Sequence, residues 1–162
     1  MHPLVIGQLL ILLMLANGMP VIAKKIFGDQ CSYPLDANLT FVDGRPLFGH
    51  SKTIRGVVLA ILATTAGAPL IGLSWKIGLT VGVLAMAGDL FSSFSKRRVD
   101  MPSSSRASGL DQIPESLFPL LACRTPLSLS VADIAVCAVM FFIGEILLSR
   151  LLYAWRLRDR PY

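Results

Sequence analysis

Long apolar runs dominate the chain, and two polar loops separate them. Four runs have the length of a membrane helix, about 17–25 residues: Leu4–Ala23, Val57–Leu73, Ile77–Phe94 and Val131–Tyr153. A further segment, Ile113–Ser130, contains three prolines and predicts either a short, broken crossing or a re-entrant piece. The pattern therefore predicts an all-α polytopic membrane protein, with residues 1–162 forming a single membrane-embedded domain.

The composition agrees with a membrane protein and excludes a small soluble enzyme. The chain is 54% hydrophobic and 15% charged, with a mean hydropathy of +0.65, whereas soluble domains carry about 25% charged residues. We interpret the net charge of +5 as a consequence of membrane topology, and we expect no nucleic-acid partner. The cysteines are widely spaced, which predicts buried apolar roles rather than a disulfide framework or a zinc site.

The distribution of cations predicts how the chain is oriented. Cytoplasmic segments of membrane proteins are enriched in Lys and Arg. If Ile113–Ser130 crosses the membrane, all of the 15 Lys and Arg residues except Lys76 and Arg124 lie on one side. We therefore expect five transmembrane helices in the cell membrane, with the N-terminus out and the C-terminus in. The first loop (24–55) and the second loop (95–112) then face the cytoplasm.

One face of the third apolar run is polar. Asp89, Ser92, Ser93 and Lys96 follow i, i+3, i+4, i+7 spacing, so they share one side of a helix. A carboxylate within a membrane helix is costly and usually faces a protein interior or a wet cavity. Hydroxyls and a cation beside it, near the membrane surface, predict a site for a metal and a phosphate.

Other polar residues allow two interpretations each. Lys52 and Arg55 precede or begin the second run, and either bind phosphate near a helix N-terminus or serve as ordinary cytoplasmic charges. Asp111 is either a helix cap or an oxygen ligand of Mg²⁺. Glu145 lies within the last run and is either functional or the partner of Arg150.

Several short motifs occur in order along these segments. In the first run and first loop they are Asn17 with Pro20, Pro34-Leu35-Asp36, Asp43-Gly44-Arg45, Gly49 and Lys52-Thr53-Ile54-Arg55-Gly56. Further along they are Gly88-Asp89-Leu90, Ser93-Phe94, Lys96-Arg97-Arg98 and Leu110-Asp111-Gln112. Together they resemble the motifs of the CDP-archaeol synthases, which are relatives of the CTP:phosphatidate cytidylyltransferases. The resemblance covers nearly the whole chain.

The resemblance implies a Mg²⁺-dependent cytidylyltransferase that acts at the cytoplasmic face. A lipid phosphate monoester, of the archaeol or diacylglycerol type, attacks the α-phosphorus of CTP; pyrophosphate leaves and a CDP-lipid forms. The implied site residues are Asp89, Lys96, Arg97 and Asp111 in catalysis, with Asp89 and Asp111 as Mg²⁺ ligands, and Asp43, Lys52, Arg55 and Ser93 in substrate binding. CTP, a membrane lipid phosphate and surrounding membrane lipids are the expected partners, with a homodimer as a further candidate.

One position departs from the family pattern. Pro114 stands where the family commonly has a second aspartate, three residues after the first, and its side chain has no ligating oxygen. Glu115 is the candidate replacement. The departure supports one alternative function, a non-catalytic lipid-binding relative. A second alternative is a small transporter of phospholipids or phosphate compounds, which would use the same charges as a binding site.

Overall fold

The computed structural model describes residues 2–28, 30–102, 105, 107 and 109–154. These residues form helices α1 (Pro3–Phe27), α2 (Ile54–Leu70), α3 (Trp75–Arg98), α4 (Gln112–Ala122) and α5 (Val131–Ala154). The prediction of an all-α fold is confirmed for this part of the chain. Each predicted apolar run lies largely within one helix, and the proline-containing segment has the shortest one, with Pro114 and Pro119 inside it.

The helices differ in their capacity to cross a membrane. By length and composition, α1, α3 and the Val131–Leu151 part of α5 are suited to span a bilayer. Helix α2 is apolar but has 17 residues. Helix α4 has 11 residues, or about 16 Å at 1.5 Å per residue, which is short of a hydrocarbon core of about 30 Å.

Hydrogen bonds at the helix ends give the direction of the chain. The backbone N–H of His2 donates to Asp133 Oδ1 over 3.0 Å, so α1 and α5 begin at the same end of the bundle. Gln8 Nε2 donates to Ile71 O over 2.6 Å, which places the end of α2 there as well. Helices α1, α3 and α5 therefore run one way, and both long loops lie at the opposite end.

Small residues let α2 and α3 pack closely. Helix α2 buries Ala60, Thr64 and Ala68, spaced four apart on one face, against Gly78 and Gly82 of α3. A Cβ atom on Gly78 would meet the backbone carbonyl of Thr64 and the Cβ of Ala68. Such small residues at four-residue spacing are typical of helix pairs in membranes, where van der Waals contact replaces the hydrophobic effect between helices.

The core lies between the helices, and many large apolar side chains point outward. Leu12 and Phe141 are fully enclosed, whereas Leu70 is 86% exposed, as expected for a surface that meets lipid. Cys123 and Cys137 are buried, as predicted. The prediction of burial is wrong for Cys31, which is exposed because it lies in the first loop.

We predict that Gly78→Ala destabilises the protein by about 1–3 kcal/mol, because the added methyl group overpacks the α2–α3 contact. Gly7→Ala is the matched control, since no side chain and no atom of another helix or loop lies within 4 Å of the position of its new Cβ. That variant should keep its stability or gain about 0.5–1 kcal/mol from the better helix former. Thermal unfolding in detergent measures both. Equal stabilities would contradict the close approach.

Candidate active site

A buried carboxylate organises the first loop. Asp36 accepts backbone hydrogen bonds from Asn38 (3.1 Å), Phe48 (3.0 Å) and Gly49 (2.9 Å), and it is 5% exposed. Burial alone would raise the pKa of Asp36, but the donors prefer the ionised form and the pKa lies below its ordinary value. Sequence reasoning assigned no role to Asp36, although the Pro-Leu-Asp motif was the available signal.

The same loop positions Lys52. Its carbonyl accepts from Leu35 N over 2.8 Å, and the next pairing joins Ile54 N to Tyr33 O over 3.1 Å. Thr53 then caps α2, with its hydroxyl oxygen as the acceptor. The two sides of the loop thus meet at the start of α2, and the Lys52 side chain extends toward α3.

Lys52 and Asp89 form the central ion pair of the site. Lys52 Nζ lies 2.5 Å from both carboxylate oxygens of Asp89, and the side chains are 22% and 19% exposed. Burial would lower the pKa of Lys52, but the charge and hydrogen bonds of Asp89 outweigh it and raise that pKa. The carboxylate that the sequence placed within a membrane helix is therefore compensated by a cation from the first loop.

Helix α4 brings a second carboxyl group to this pair. Its backbone packs on Gly88, where a Cβ atom would meet the carbonyl of Pro114 and the nitrogen of Glu115. Glu115 is 5% exposed, and its side chain lies within hydrogen-bonding reach of Asp89. Its Oε2 has no hydrogen-bond partner among the described residues. Glu115, one residue after the proline, therefore reaches the site without any rearrangement of the backbone.

Lys96 and Asp111 form a second ion pair, with Nζ and Oδ1 2.7 Å apart. Lys96 also donates to Ser105 O over 3.0 Å, and Asp111 Oδ2 accepts from Ala107 N over 3.0 Å. Asp111 stands at the start of α4 but makes no side-chain cap. The helix-cap alternative is therefore wrong, because the carboxylate turns back to the second loop and to Lys96.

The two ion pairs belong to one cluster. Lys52 interacts electrostatically with Asp111 as well as with Asp89, and Asp89 interacts with Lys96. Ser92 fixes the approach of the second loop, since its hydroxyl donates to Leu110 O over 2.7 Å. The structure therefore joins residues that lie up to 59 positions apart in the numbering, from Lys52 to Asp111.

Arg97 and Ser93 lie one turn apart on the buried face of α3. Arg97 is 6% exposed and Ser93 is 2% exposed. Arg97 Nε lacks a hydrogen-bond partner within the described part of the chain. A buried guanidinium with an unused donor is suited to bind an anion, because Arg matches phosphate geometry.

Two predicted substrate-binding residues lie away from this cluster. Arg55 donates to the carbonyls of Gln30 and, over 3.0 Å, Gly28, and its guanidinium lies 5.7 Å from the ring centre of Phe27. It therefore caps the end of α1. Asp43 pairs with Arg98 over 2.5 Å.

Glu145 of α5 lies near Glu115, the carboxyl group that α4 brings to the site. It interacts electrostatically with Glu115, and its Oε2 is buried without a hydrogen-bond partner in the described ranges. The alternative in which Glu145 pairs with Arg150 is not seen among the ion pairs of those ranges. Sequence reasoning left this residue open, and the structure places it beside the cluster.

Comparison with known proteins assigns the family. The model of the CarS-like CDP-archaeol synthases matches residues 4–162. The chain belongs to the CDP-archaeol synthase family. The CDP-archaeol synthase of Sulfurisphaera tokodaii is 33% identical over 135 residues, which cover 80% of this chain and 81% of that protein. The Pyrobaculum islandicum CDP-archaeol synthase is 32% identical over 152 residues, or 91% of each chain.

A solved structure agrees with this family. An intramembrane enzyme for archaeal membrane lipids biosynthesis aligns with a TM-score of 0.70 and 26% identity, covering 85% of this chain and 90% of the other. The resemblance predicted from the motifs is thereby confirmed, and the similarity extends from short motifs to the arrangement of the helices.

The acidic groups of this CDP-archaeol synthase family member suit Mg²⁺, which prefers oxygen ligands and usually retains waters and substrate phosphates. The unpartnered Oε2 of Glu115, close to Asp89, fits such an ion. No set of three or more His, Cys, Asp or Glu side chains has metal-binding geometry in the described ranges. A Mg²⁺ site at these carboxylates would therefore be completed by substrate phosphates and waters.

We predict that Lys52→Met costs roughly 3 kcal/mol of stability, because it leaves the Asp89 carboxylate in a low-dielectric site without its cation. Adding Asp89→Asn should recover most of that loss, since the double variant has no unpaired charge. Thermal unfolding of the two single variants and the double variant measures the coupling. Additive losses would show that the two side chains do not interact.

Proposed function

We propose that this protein is a membrane cytidylyltransferase that transfers CMP from CTP to a lipid phosphate, forming a CDP-lipid and pyrophosphate. The observation that carries the proposal is the cluster of two lysine–carboxylate pairs, Lys52–Asp89 and Lys96–Asp111, at the loop end of the bundle. Membership in the CDP-archaeol synthase family supports this chemistry. The names of the relatives favour a lipid phosphate of the archaeol type over the diacylglycerol type.

The cations of the site supply the expected phosphate contacts. Lys96 and Arg97 are adjacent on α3, and both are more than nine-tenths buried. Charges fixed in a water-poor site stabilise a developing phosphate charge without having to reorganise. Lys52 faces the same region from the first loop, so phosphates of CTP bind between the loop and the helix. Ser93 lines this pocket from one turn below Arg97.

The carboxylates have a different role in the proposal. Asp89 and Asp111 would hold Mg²⁺, and Glu115 would contribute the oxygen that Pro114 cannot provide. When bound, the ion would supply positive charge that offsets the charge of the α-phosphate and of the leaving pyrophosphate. Lys52 and Lys96 meanwhile keep Asp89 and Asp111 oriented and compensate their charge before substrate arrives.

We further propose five membrane crossings, with the N-terminus out and the active site facing the cytoplasm of the cell. The parallel direction of α1, α3 and α5 supports this topology, and so does the concentration of cations at the loop end. Helix α4 is short, and the turn that follows it completes the fourth crossing. CTP, a soluble anion, and a lipid phosphate then meet at the same basic surface.

The decisive experiment is a transfer assay with purified protein. Labelled CTP and Mg²⁺ are incubated with archaeol phosphate, phosphatidic acid or no lipid, and with Asp89→Asn as the inactive control. Formation of a labelled CDP-lipid supports the proposal. Lipid binding without transfer would favour the non-catalytic relative, and passage of lipid phosphate across proteoliposomes would favour the transporter.

For the phosphate contacts, we predict that Arg97→Gln lowers kcat/KM about ten- to a hundredfold, as expected for a lost charge-assisted hydrogen bond. The matched control is Arg124→Gln, which removes an exposed cation at the opposite end of the bundle. Steady-state kinetics with CTP measures both. If the Arg97→Gln and Arg124→Gln variants were equally active, Arg97 would be an ordinary cytoplasmic charge rather than a phosphate ligand.

For the carboxylates, we predict that Asp89→Asn and Asp111→Asn abolish transfer, whereas Glu115→Gln raises the Mg²⁺ concentration needed for half-maximal activity. The first two changes remove the charge of a principal proposed ligand. The third removes the charge of the replacement carboxylate but keeps an amide oxygen, which is a weaker ligand. Activity titrated with Mg²⁺ distinguishes these effects. Full activity of Glu115→Gln at limiting Mg²⁺ would exclude Glu115 as the replacement.

For the topology, we predict that a cysteine at Thr40 reacts with a membrane-impermeant reagent only from the cytoplasmic side. A cysteine at Lys76, in the first turn of α3, should react only from outside. Both are placed in a Cys31→Ser background, because Cys31 is the exposed cysteine. Labelling of Thr40→Cys in intact cells would contradict the proposed orientation.

A further inference from the structure

The cations of the Lys96-Arg97-Arg98 run have different surroundings. Lys96 pairs with Asp111, and Arg97 is buried with an unused donor. Arg98 turns to the first loop: Nη1 contacts Asp43 Oδ1 over 2.5 Å, and Nη2 donates to Pro46 O over 2.5 Å. Both terminal nitrogens of the Arg98 guanidinium thus contact protein groups, whereas its Nε, like that of Arg97, has no hydrogen-bond partner among the described residues.

Two aromatic rings enclose the Arg98 guanidinium. Its central carbon lies 4.9 Å from the ring centre of Phe41 and 4.7 Å from that of Phe94. The two rings meet edge to face at 5.4 Å. Cation–π contacts at these distances are attractive, so the tip of the first loop is fixed to the end of α3 by charge and by stacking.

The first loop also donates hydrogen bonds to the end of α3. Arg45 Nη1 donates to Arg98 O over 2.6 Å at the end of α3, where the last helical carbonyls lack partners within the helix. The turn that directs both Asp43 and Arg45 toward α3 passes through Gly44, whose φ of +75° favours glycine. The Asp-Gly-Arg motif is therefore accounted for by contacts to α3.

The first loop is tied together from this tip to its base. Backbone bonds join Phe41 to Arg45 (2.8 Å), Leu47 to Leu39 (3.1 Å) and Leu35 to Lys52 (2.8 Å). Together with the bonds of Asp36, they make the loop a paired ribbon. The ribbon contacts α3 at its base and at its tip, through Asp89 and Arg98, which are about 13 Å apart along the helix at 1.5 Å per residue. Ser93, Lys96 and Arg97 lie between these two contacts.

We propose that Arg98 and Asp43 are a positioning pair that docks the tip of the first loop on α3 and so holds Lys52 over the phosphate-binding face. Neither side chain binds substrate in this proposal. The inference rests on the proposed function, because the role of the pair is defined by the CTP reaction. It differs from the role that the family resemblance implies for Asp43, which is direct contact with the nucleotide.

The kinetic test compares Asp43→Asn, Arg98→Gln and their double variant, with Arg98→Lys as the conservative replacement and Lys76→Gln as the charge control. We expect each single variant to lower kcat/KM for CTP about ten- to a hundredfold. The kcat/KM of the double variant should be no lower than that of the less active single variant, because the two side chains act as one unit. Arg98→Lys should recover part of the loss, and Lys76→Gln should match the parent.

The second measurement does not depend on activity. A nitroxide label on Val42→Cys, a tip position that is 96% exposed, is placed in the Cys31→Ser background. Its electron paramagnetic resonance spectrum reports motion of the tip without CTP. We expect Asp43→Asn and Arg98→Gln to increase that motion, and Lys76→Gln to leave it unchanged.

The outcomes separate the alternatives. Multiplicative kinetic losses with an unchanged spectrum would make Asp43 and Arg98 independent substrate ligands and overturn the proposal. Increased motion with unchanged kinetics would also overturn it, because docking would then not serve the reaction. If the parent protein has no transferase activity, the proposed function fails, whereas the spectra still show whether Arg98 and Asp43 dock the loop.

Discussion

The need to compensate Asp89 within an apolar helix bundle governs the rest of the site. An isolated carboxylate in such surroundings costs several kcal/mol or more, and Lys52 reduces that cost by contacting both of its oxygens. Lys52 belongs to a polar loop outside the helices, so the loop must fold onto the bundle to deliver it. The buried carboxylate of Asp36 and the backbone pairings of the loop meet that requirement.

A consequence is that the charges of the site are fixed before substrate binds. Lys96 and Asp111 form a second ion pair of the same kind, between α3 and the second loop. Gly88 lets α4 approach α3 closely enough to bring Glu115 to the site. Membrane helices lack a strong hydrophobic force between them, so close packing and polar contacts hold them together. The same groups that stabilise the loop end of the bundle therefore form the chemistry proposed for the CDP-archaeol synthase family member.

Pro114, which stands where the family commonly has an aspartate, shows how helix packing can change what a sequence motif implies about the site. Pro114 packs its backbone on α3, and the next side chain, Glu115, points to Asp89. A carboxylate is retained near the expected position although the motif itself is interrupted. The departure therefore weighs less against catalysis than the sequence suggested. What the site can bind depends on the charge and position of its side chains, and not on the residue type at a single motif position.

The sequence by itself determined the all-α class, the five helical segments and the family, because apolar run length and ordered motifs are local properties. It also selected Asp89 and Lys96, since polar residues on an apolar helix are conspicuous, and it selected Arg97 and Asp111 through the ordered motifs. Only the tertiary structure decided which charges pair, that Arg55 caps α1 instead of joining the cluster, and that Glu115 lies beside Asp89. Each ion pair forms only when a loop folds against a helix that is distant in the sequence. No local sequence pattern determines which residues come together in this way.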